Sequence, residues 1–392
     1  MYNLLMILSF KTELKLNSRE RVLLAKHAGT ARHAYNWGLG LCKQILDNNR
    51  TKPEEKIKFP TAIDLHKWLV ALVKPQSEWY YEVSKCAPQY ALRHLADAFK
   101  RFFSRKGGFP KFKKKGRGDS FTLDGSITVD HRKIKVPIIG WIKTYERLPQ
   151  GIKLSCATIS RTADRWFISF KIEVESKPTE KKVDVVGVDL GVNHLATLST
   201  GEVFEGVKAY KKYENKLSRL QWLNRHKQHH SANSKKAQIK IAILHRKIAN
   251  IRKDTLHKIT TYISKNHAVI GIEDLNVSGM LANHNLAKAI ADMGFYEFRR
   301  QLEYKCQLYG SKLVVVDRFF PSSKRCSSCL TVKASLSLSE RTYYCSSCNF
   351  QVDRDLNAAI NLELAVRSTV LASGLEGCRH PQDERGRNGN DC

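Results

Sequence analysis

The sequence predicts a multidomain α+β protein, and three observations carry that prediction. Helical periodicity dominates residues 18–106, apolar and polar residues alternate through much of 121–174, and from Val185 onward strand-like and helix-like segments are interleaved. With 392 residues, 42% of them hydrophobic, the chain can give each of several domains a core.

The elements follow in order. Tyr2 to Phe10 is apolar, but no basic residues precede it, no small-residue cleavage site follows, and it is too short to cross a bilayer. Leu8, Phe10, Leu14 and Leu16 fall on even positions with Lys11, Glu13 and Lys15 between them, which predicts a half-buried first strand. No membrane partner and a cytoplasmic location are the expectation. Asn17 followed by Glu20 predicts a capping box opening a helix that reaches about Ile45. Leu92, Leu95, Phe99 and Phe102 recur at helical steps between Pro88 and Lys106.

The pattern breaks at Arg105. Seven of the thirteen residues to Arg117 are basic (Arg105, Lys106, Lys111, Lys113, Lys114, Lys115, Arg117), none is acidic, and Gly107, Gly108 and Pro110 exclude a regular helix. Phe109 and Phe112 interleave with the charge. A solvated loop and a nucleic-acid grip that stacks on bases are both consistent with this composition; the charge of the whole chain favours the grip.

Beyond it, Phe121 to Val174 is rich in β-branched and aromatic residues, and Trp166, Ile168, Phe170, Ile172 and Val174 alternate. The first strand could join these, making the helical region an insertion in a small barrel or sheet. Residues 176–182 read as a linker. The α/β region to about Leu364 contains a helical stretch, 208–265, with sixteen basic residues and two acidic ones. Its Ile241, Leu244, Ile248 and Ile251 supply a packing face, leaving another face free for phosphate. Residues 368–392, rich in Gly, Arg, Asn and Asp, are expected to be a disordered tail.

Sixty-seven Lys and Arg against 37 Asp and Glu give a formal charge of +30 and a pI of about 9.8. Such an excess points to a polyanion, because each neutralised phosphate releases condensed counterions. Ten cysteines without an export signal argue against a disulfide framework. No Walker loop is present, so a nucleotide kinase lacks its signature.

Two kinds of site stand out. Cys326-Ser327-Ser328-Cys329 and, fifteen residues on, Cys345-Ser346-Ser347-Cys348 have the spacing of two knuckles holding one tetrahedral Zn²⁺. With four protein ligands its role is folding. The second site is acidic. Asp189 and Glu273 each close an apolar run (Val185 to Val188, Ala268 to Ile272), and Asp355 lies in the first turn of a helix for which Asp353 is a cap candidate. A buried carboxylate needs a hydrogen bond, a cation or a metal, and pairing to an amide or a basic residue would satisfy any one of them alone. Three on separate elements are what two Mg²⁺ ions require for phosphodiester hydrolysis. His226, His229 and His230 sit between Arg225 and Lys227, which would repel a cation, and read as polar surface.

In combination, Gly187-Val188-Asp189-Leu190-Gly191, Ile272-Glu273-Asp274-Leu275, the paired knuckles and Asp353-Arg354-Asp355-Leu356-Asn357-Ala358-Ala359 resemble TnpB, the OrfB-type proteins of insertion sequences. Phe320-Pro321-Ser322-Ser323-Lys324, the stretch Glu297 to Lys305, and Ala91 to Phe103 extend the resemblance over about residues 10–365. It implies a RuvC-like nuclease domain of RNase H fold (181–318 and 352–367, with 208–265 as a basic helical insertion) and a zinc ribbon (319–351). It also implies a β-barrel wedge domain (1–17 and 107–180) carrying a helical recognition lobe (18–106). Asp189, Glu273 and Asp355 become Mg²⁺ ligands. A guide RNA from the transposon end, one RNA per monomer, and double-stranded DNA cut beside a short motif are further implications, on the bacterial or archaeal nucleoid. A repressor that binds DNA through the same guide without cutting is the alternative. Leu330 and Asn349 depart from the family, which usually has Gly after each knuckle.

Overall fold

A computed structural model describes residues 5–337 and 339–372. The chain divides into two compact units, one essentially residues 7–174 and the other most of the chain from Glu175.

The first unit begins with β1 (Leu5–Lys15), which alternation predicted, and α1 (Ser18–Thr51), opened by the expected capping box. Glu20 N donates to Asn17 Oδ1 and Asn17 N donates to Glu20 Oε2, each at 2.8 Å. After α2 (Ala62–Trp68), irregular helical turns lead to α3 (Cys86–Phe103). Leu24, Ala31 and Leu39 of α1 share a core with Leu92, Leu95 and Phe99 of α3. Strands β2 (Ser120–Asp130), β3 (Lys133–Val136), β4 (Gly140–Thr144), β5 (Leu154–Thr162) and β6 (Arg165–Glu175) follow. They close with β1 into a six-stranded barrel of order β1-β4-β3-β2-β5-β6, so the helices are an insertion between barrel strands.

The second unit is a mixed sheet between helices. Its elements are β7 (Val183–Asp189), β8 (Ala196–Leu198), β9 (Val203–Phe204), α4 (Ala209–Arg225), α5 (Ala232–Asn266), β10 (His267–Glu273), α6 (Val277–Ala282), α7 (Ala287–Met293), α8 (Phe295–Tyr309) and β11 (Lys312–Val316). A cysteine module containing β12 (Thr342–Tyr344) and β13 (Gln351–Asp353) leads into α9 (Arg354–Ala372). The sheet order is β11-β10-β7-β8-β9, with β7, β10 and β11 parallel. Both faces of the central strands are covered, which explains their unbroken apolar runs. Val186, Val188, Ile270 and Ile272 pack on α5 and α8, while Val185 and Val269 meet Val366 and Val370 of α9.

That last contact corrects one expectation. Residues 368–372, taken as the start of a disordered tail, continue α9, because Val370 repeats Val366 one helical turn later and is buried with it. The remainder of the expected tail, 373–392, lies outside the described residues. No helix among the described residues is long and apolar enough to cross a membrane.

Candidate active site and metal centre

Strand period and register bring the first two acids together. Gly187 lies opposite Gly271 and Val188 opposite Ile272 in the parallel β7–β10 pair, so Asp189 and Glu273 end adjacent strands one residue further on. Alternation sends residues 185, 187, 189 and 269, 271, 273 to the face under α9. The helix approaches this face to backbone contact. A Cβ on Gly187 would stand 1.9 Å from the Ala359 carbonyl oxygen and 2.5 Å from Glu363 N, and one on Gly271 would stand 2.5 Å from a Val366 methyl. Glycine on the strands and the buried Ala358 and Ala359 on the helix therefore set the approach that delivers Asp355, in the first turn of α9, to the cluster.

Two of the carboxylates act on the third. Burial, then the charges of Asp355 and Glu273, push Asp189 up to about 7, against the opposing pull of Arg354. Burial also raises Glu273, tempered by a hydrogen bond with Ser322. Asp355 Oδ1 accepts from Arg354 Nε at 3.2 Å and Nη2 at 3.0 Å. Neighbouring acids have other employment. Asp353 Oδ1 accepts from Asp355 N and Leu356 N and so caps α9, and Asp274 is held by Arg299 Nη1 at 2.6 Å and by Arg318. A groove of about 580 Å³ opens beside Glu273, between Leu190, Tyr296, Arg299 and Arg318.

The cysteines form a second centre. The Sγ atoms of Cys326, Cys329, Cys345 and Cys348 all lie within 4.8 Å of one another, the only such metal-ligand group among the described residues. Sγ separations are 3.7 Å for Cys326–Cys348 and 3.5 Å for Cys329–Cys345. Tetrahedral ligands at the roughly 2.3 Å Zn–S distance stand about 3.8 Å apart, so the four thiolates fit a structural zinc. The two knuckles repeat one geometry. Leu330 N donates to Cys326 O and Asn349 N to Cys345 O, and both residues are left-handed, with φ of 67° and 57°. Leu330 thus adopts the conformation the family usually gives to Gly. His226, His229 and His230 belong to no such group, and the His226 ring lies against Trp222 instead.

Two buried asparagines one helical turn apart on α9 tie the cysteine module to the acids. Asn357 Oδ1 accepts from Ser327 N, its Nδ2 donates to Arg325 O, and Asn361 Nδ2 donates to Ser322 O and Arg325 O. Ser322 in turn reaches Glu273. Sequence reasoning gave no separate role to Gly187, Gly271, Ser322, Asn357 or Asn361. A signal for the glycines existed, because Gly stands two residues before the acid in both strands.

Of the basic loop, Arg105, Lys106, Lys111, Lys114, Lys115 and Arg117 are exposed. Lys113 is not available in the same way. Its ammonium lies 4.2 Å over the Tyr35 ring, its backbone pairs with the Asn36 amide, and burial lowers its pKa. Phe109 packs edge-on against Phe99 and Phe102, whereas Phe112 is half exposed.

Carboxylates at the ends of adjacent parallel strands, a third on a covering helix and a four-cysteine module inserted ahead of it describe an α/β domain with an inserted four-cysteine ribbon. Comparison with known proteins gives the family. Residues 169–284 match the OrfB family of IS605 type, described as "Probable transposase", and residues 295–362 match "Cas12f1-like, TNB domain". Residues 6–51, described as "Helix-turn-helix domain", hold β1 and the single long helix α1 here. The chain is 34% identical to the Escherichia coli "Putative RNA-guided DNA endonuclease InsQ", covering 93% of this chain and 94% of that protein. It is 40% identical to a Streptomyces pristinaespiralis "Putative RNA-guided DNA endonuclease", over 79% of this chain and 77% of that one. A Mycobacterium tuberculosis relative, "Putative RNA-guided DNA endonuclease Rv2885c", is 31% identical over 90% and 85% of the two chains. The chain belongs to the TnpB family of transposon-associated proteins.

Proposed function

We propose that the chain is an RNA-guided DNA endonuclease that hydrolyses phosphodiester bonds at Asp189, Glu273 and Asp355. The observation that carries the reading is the convergence of three partly or fully buried carboxylates with Arg354 as their one guanidinium partner among the described residues. A cluster so short of positive charge suits divalent cations, and hard oxygen donors suit magnesium. Magnesium held by these three carboxylates would supply an activated water and stabilisation of the leaving oxygen.

The protein's own part is placement. Asp189 and Glu273 sit at rigid strand ends, Asp355 is fixed by the contact of α9 with Gly187, and Ser322 orients Glu273. In this reading residues 181–318 and 352–372 form the nuclease domain, 319–351 the ribbon, 1–17 and 107–180 the wedge, and 18–106 the recognition lobe. One monomer carries one guide RNA transcribed from the transposon end. The guide pairs with the target strand, and the protein reads duplex shape and a short adjacent motif. The net charge of +30 and the six exposed cations of the loop at 105–117 support contact with nucleic acid.

The test is to sequence RNA that co-purifies with the protein and then assay Mg²⁺-dependent cleavage of a plasmid library carrying the matching target beside randomised flanks. Cutting should be lost in Asp189→Ala while RNA binding persists. Retained cutting would refute the site, and guided binding without cutting by the wild type would favour a repressor.

A further inference from the structure

We infer that the outer face of α4 is a second nucleic-acid contact surface, which grips the backbone of a structured RNA with Lys212, Lys216 and Arg219 and stacks Trp222 on an unpaired base. This rests on the RNA-guided reading above and assigns residues for which that reading has no role.

The helix is firmly oriented. Asp292, buried on α7, accepts from the backbone N–H groups of Tyr210 and Lys211 and so caps the α4 N-terminus. Glu214, the one acid of α4, is bound at 2.8 Å by Lys288, also of α7. Leu217 is buried on the inner side, and Tyr213 lies under the ammonium of Lys247 from α5. What remains outside is a stripe at steps of four, three and four: Lys212, Lys216, Arg219 and Leu223, all exposed. None of the three cations has a carboxylate partner among the described residues, in contrast to Lys258 and Lys288, which are paired with Asp254 and Glu214.

Charge alone would describe a solvated face. The aromatic residue beside it indicates a ligand. Trp222, one turn beyond Arg219, is 58% exposed and Leu223 is 41% exposed, with the His226 ring 4.6 Å from the indole. An indole at the end of a row of uncompensated cations matches a strand that offers phosphates at one place and a splayed base at the next. Structured RNA presents such bases in loops and bulges, whereas those of duplex DNA are stacked inside the helix.

The test uses the full-length protein and the RNA that co-purifies with it, transcribed in vitro, with Kd measured at several salt concentrations. Replacing Lys212, Lys216 and Arg219 together by Ala should reduce the slope of log K against log salt by about 2–3. Trp222→Ala should weaken binding roughly tenfold at unchanged slope, and Trp222→Phe should restore most of it. Since all four side chains are exposed, melting temperatures should stay at the wild-type value. Wild-type Kd and slope in these variants would overturn the inference, as would intact RNA affinity with a loss confined to duplex DNA. A wild-type protein that binds no RNA would instead sink the RNA-guided reading, and this surface with it.

Discussion

Gly187→Ala tests the packing that assembles the acids. The added Cβ would stand 1.9 Å from the Ala359 carbonyl oxygen, and reaching an ordinary C···O separation of roughly 3.3 Å requires β7 and α9 to part by about 1.4 Å. Neither side can yield by a rotamer change, because the contact is with helix backbone. Overpacking of this kind destabilises by about 1–3 kcal/mol, a drop of several degrees in melting temperature. The same displacement moves Asp355 relative to Asp189, and misplacement by roughly 1 Å can lower a rate about 100-fold. Gly271→Ala should be milder, since its Cβ meets a Val366 methyl at 2.5 Å and helix backbone only at 3.4 Å. Thermal melting and single-turnover guided cleavage would be measured on both variants. Wild-type melting and cleavage in Gly187→Ala would refute the claim that this contact positions the third acid.

Three further outcomes are expected. Asp189, pushed up to about 7 in the fold, holds a proton that the unfolded chain releases near pH 4. Its contribution to the stability of magnesium-free protein therefore falls as pH rises from about 4 to 7, and Asp189→Asn should flatten that part of the melting profile; an unchanged profile would contradict the shift. Replacing Cys326 and Cys329 together by Ser should release zinc and lower the melting temperature, and unaltered zinc content would dismiss the site. Leu330→Gly should stabilise the ribbon by about 1 kcal/mol, because it relieves a left-handed side-chain residue; a loss of stability would mean that the leucine side chain contributes more than its strain costs.

Much of this architecture was legible in the sequence because its signals are local. The capping box at Asn17 and Glu20, the alternation of β1 and the knuckle spacing each need only a few consecutive residues to be read. Asp189 and Glu273 stood out as candidates for a related reason, since a carboxylate closing an apolar strand is conspicuous wherever it occurs. What the sequence concealed depends on contacts between distant segments. Gly187 and Gly271 look like ordinary strand glycines until the register sets them opposite each other beneath α9. Lys113 reads as one more loop cation until Tyr35 is found beneath it. The end of α9 was misjudged because the composition of 368–392 outweighed the single apolar repeat from Val366 to Val370.

The same contacts link the four-cysteine module, inserted between the second and third candidate acids, to both of them. Asn357 and Asn361 bind the backbone just before and within the first knuckle, and they stand on the helix whose first turn carries Asp355. Ser322, an acceptor for Asn361 through its carbonyl, reaches Glu273 with its side chain. Zinc held by the four thiolates would thereby be coupled through two buried amides to both Asp355 and Glu273. Asn357→Ala should leave the four thiolates and their zinc intact while loosening α9, since each buried polar group left unpaired costs about 1–3 kcal/mol. Cleavage reduced at full zinc occupancy would locate the coupling in the asparagines. Wild-type cleavage and melting would show that the ribbon and the acids are independent neighbours.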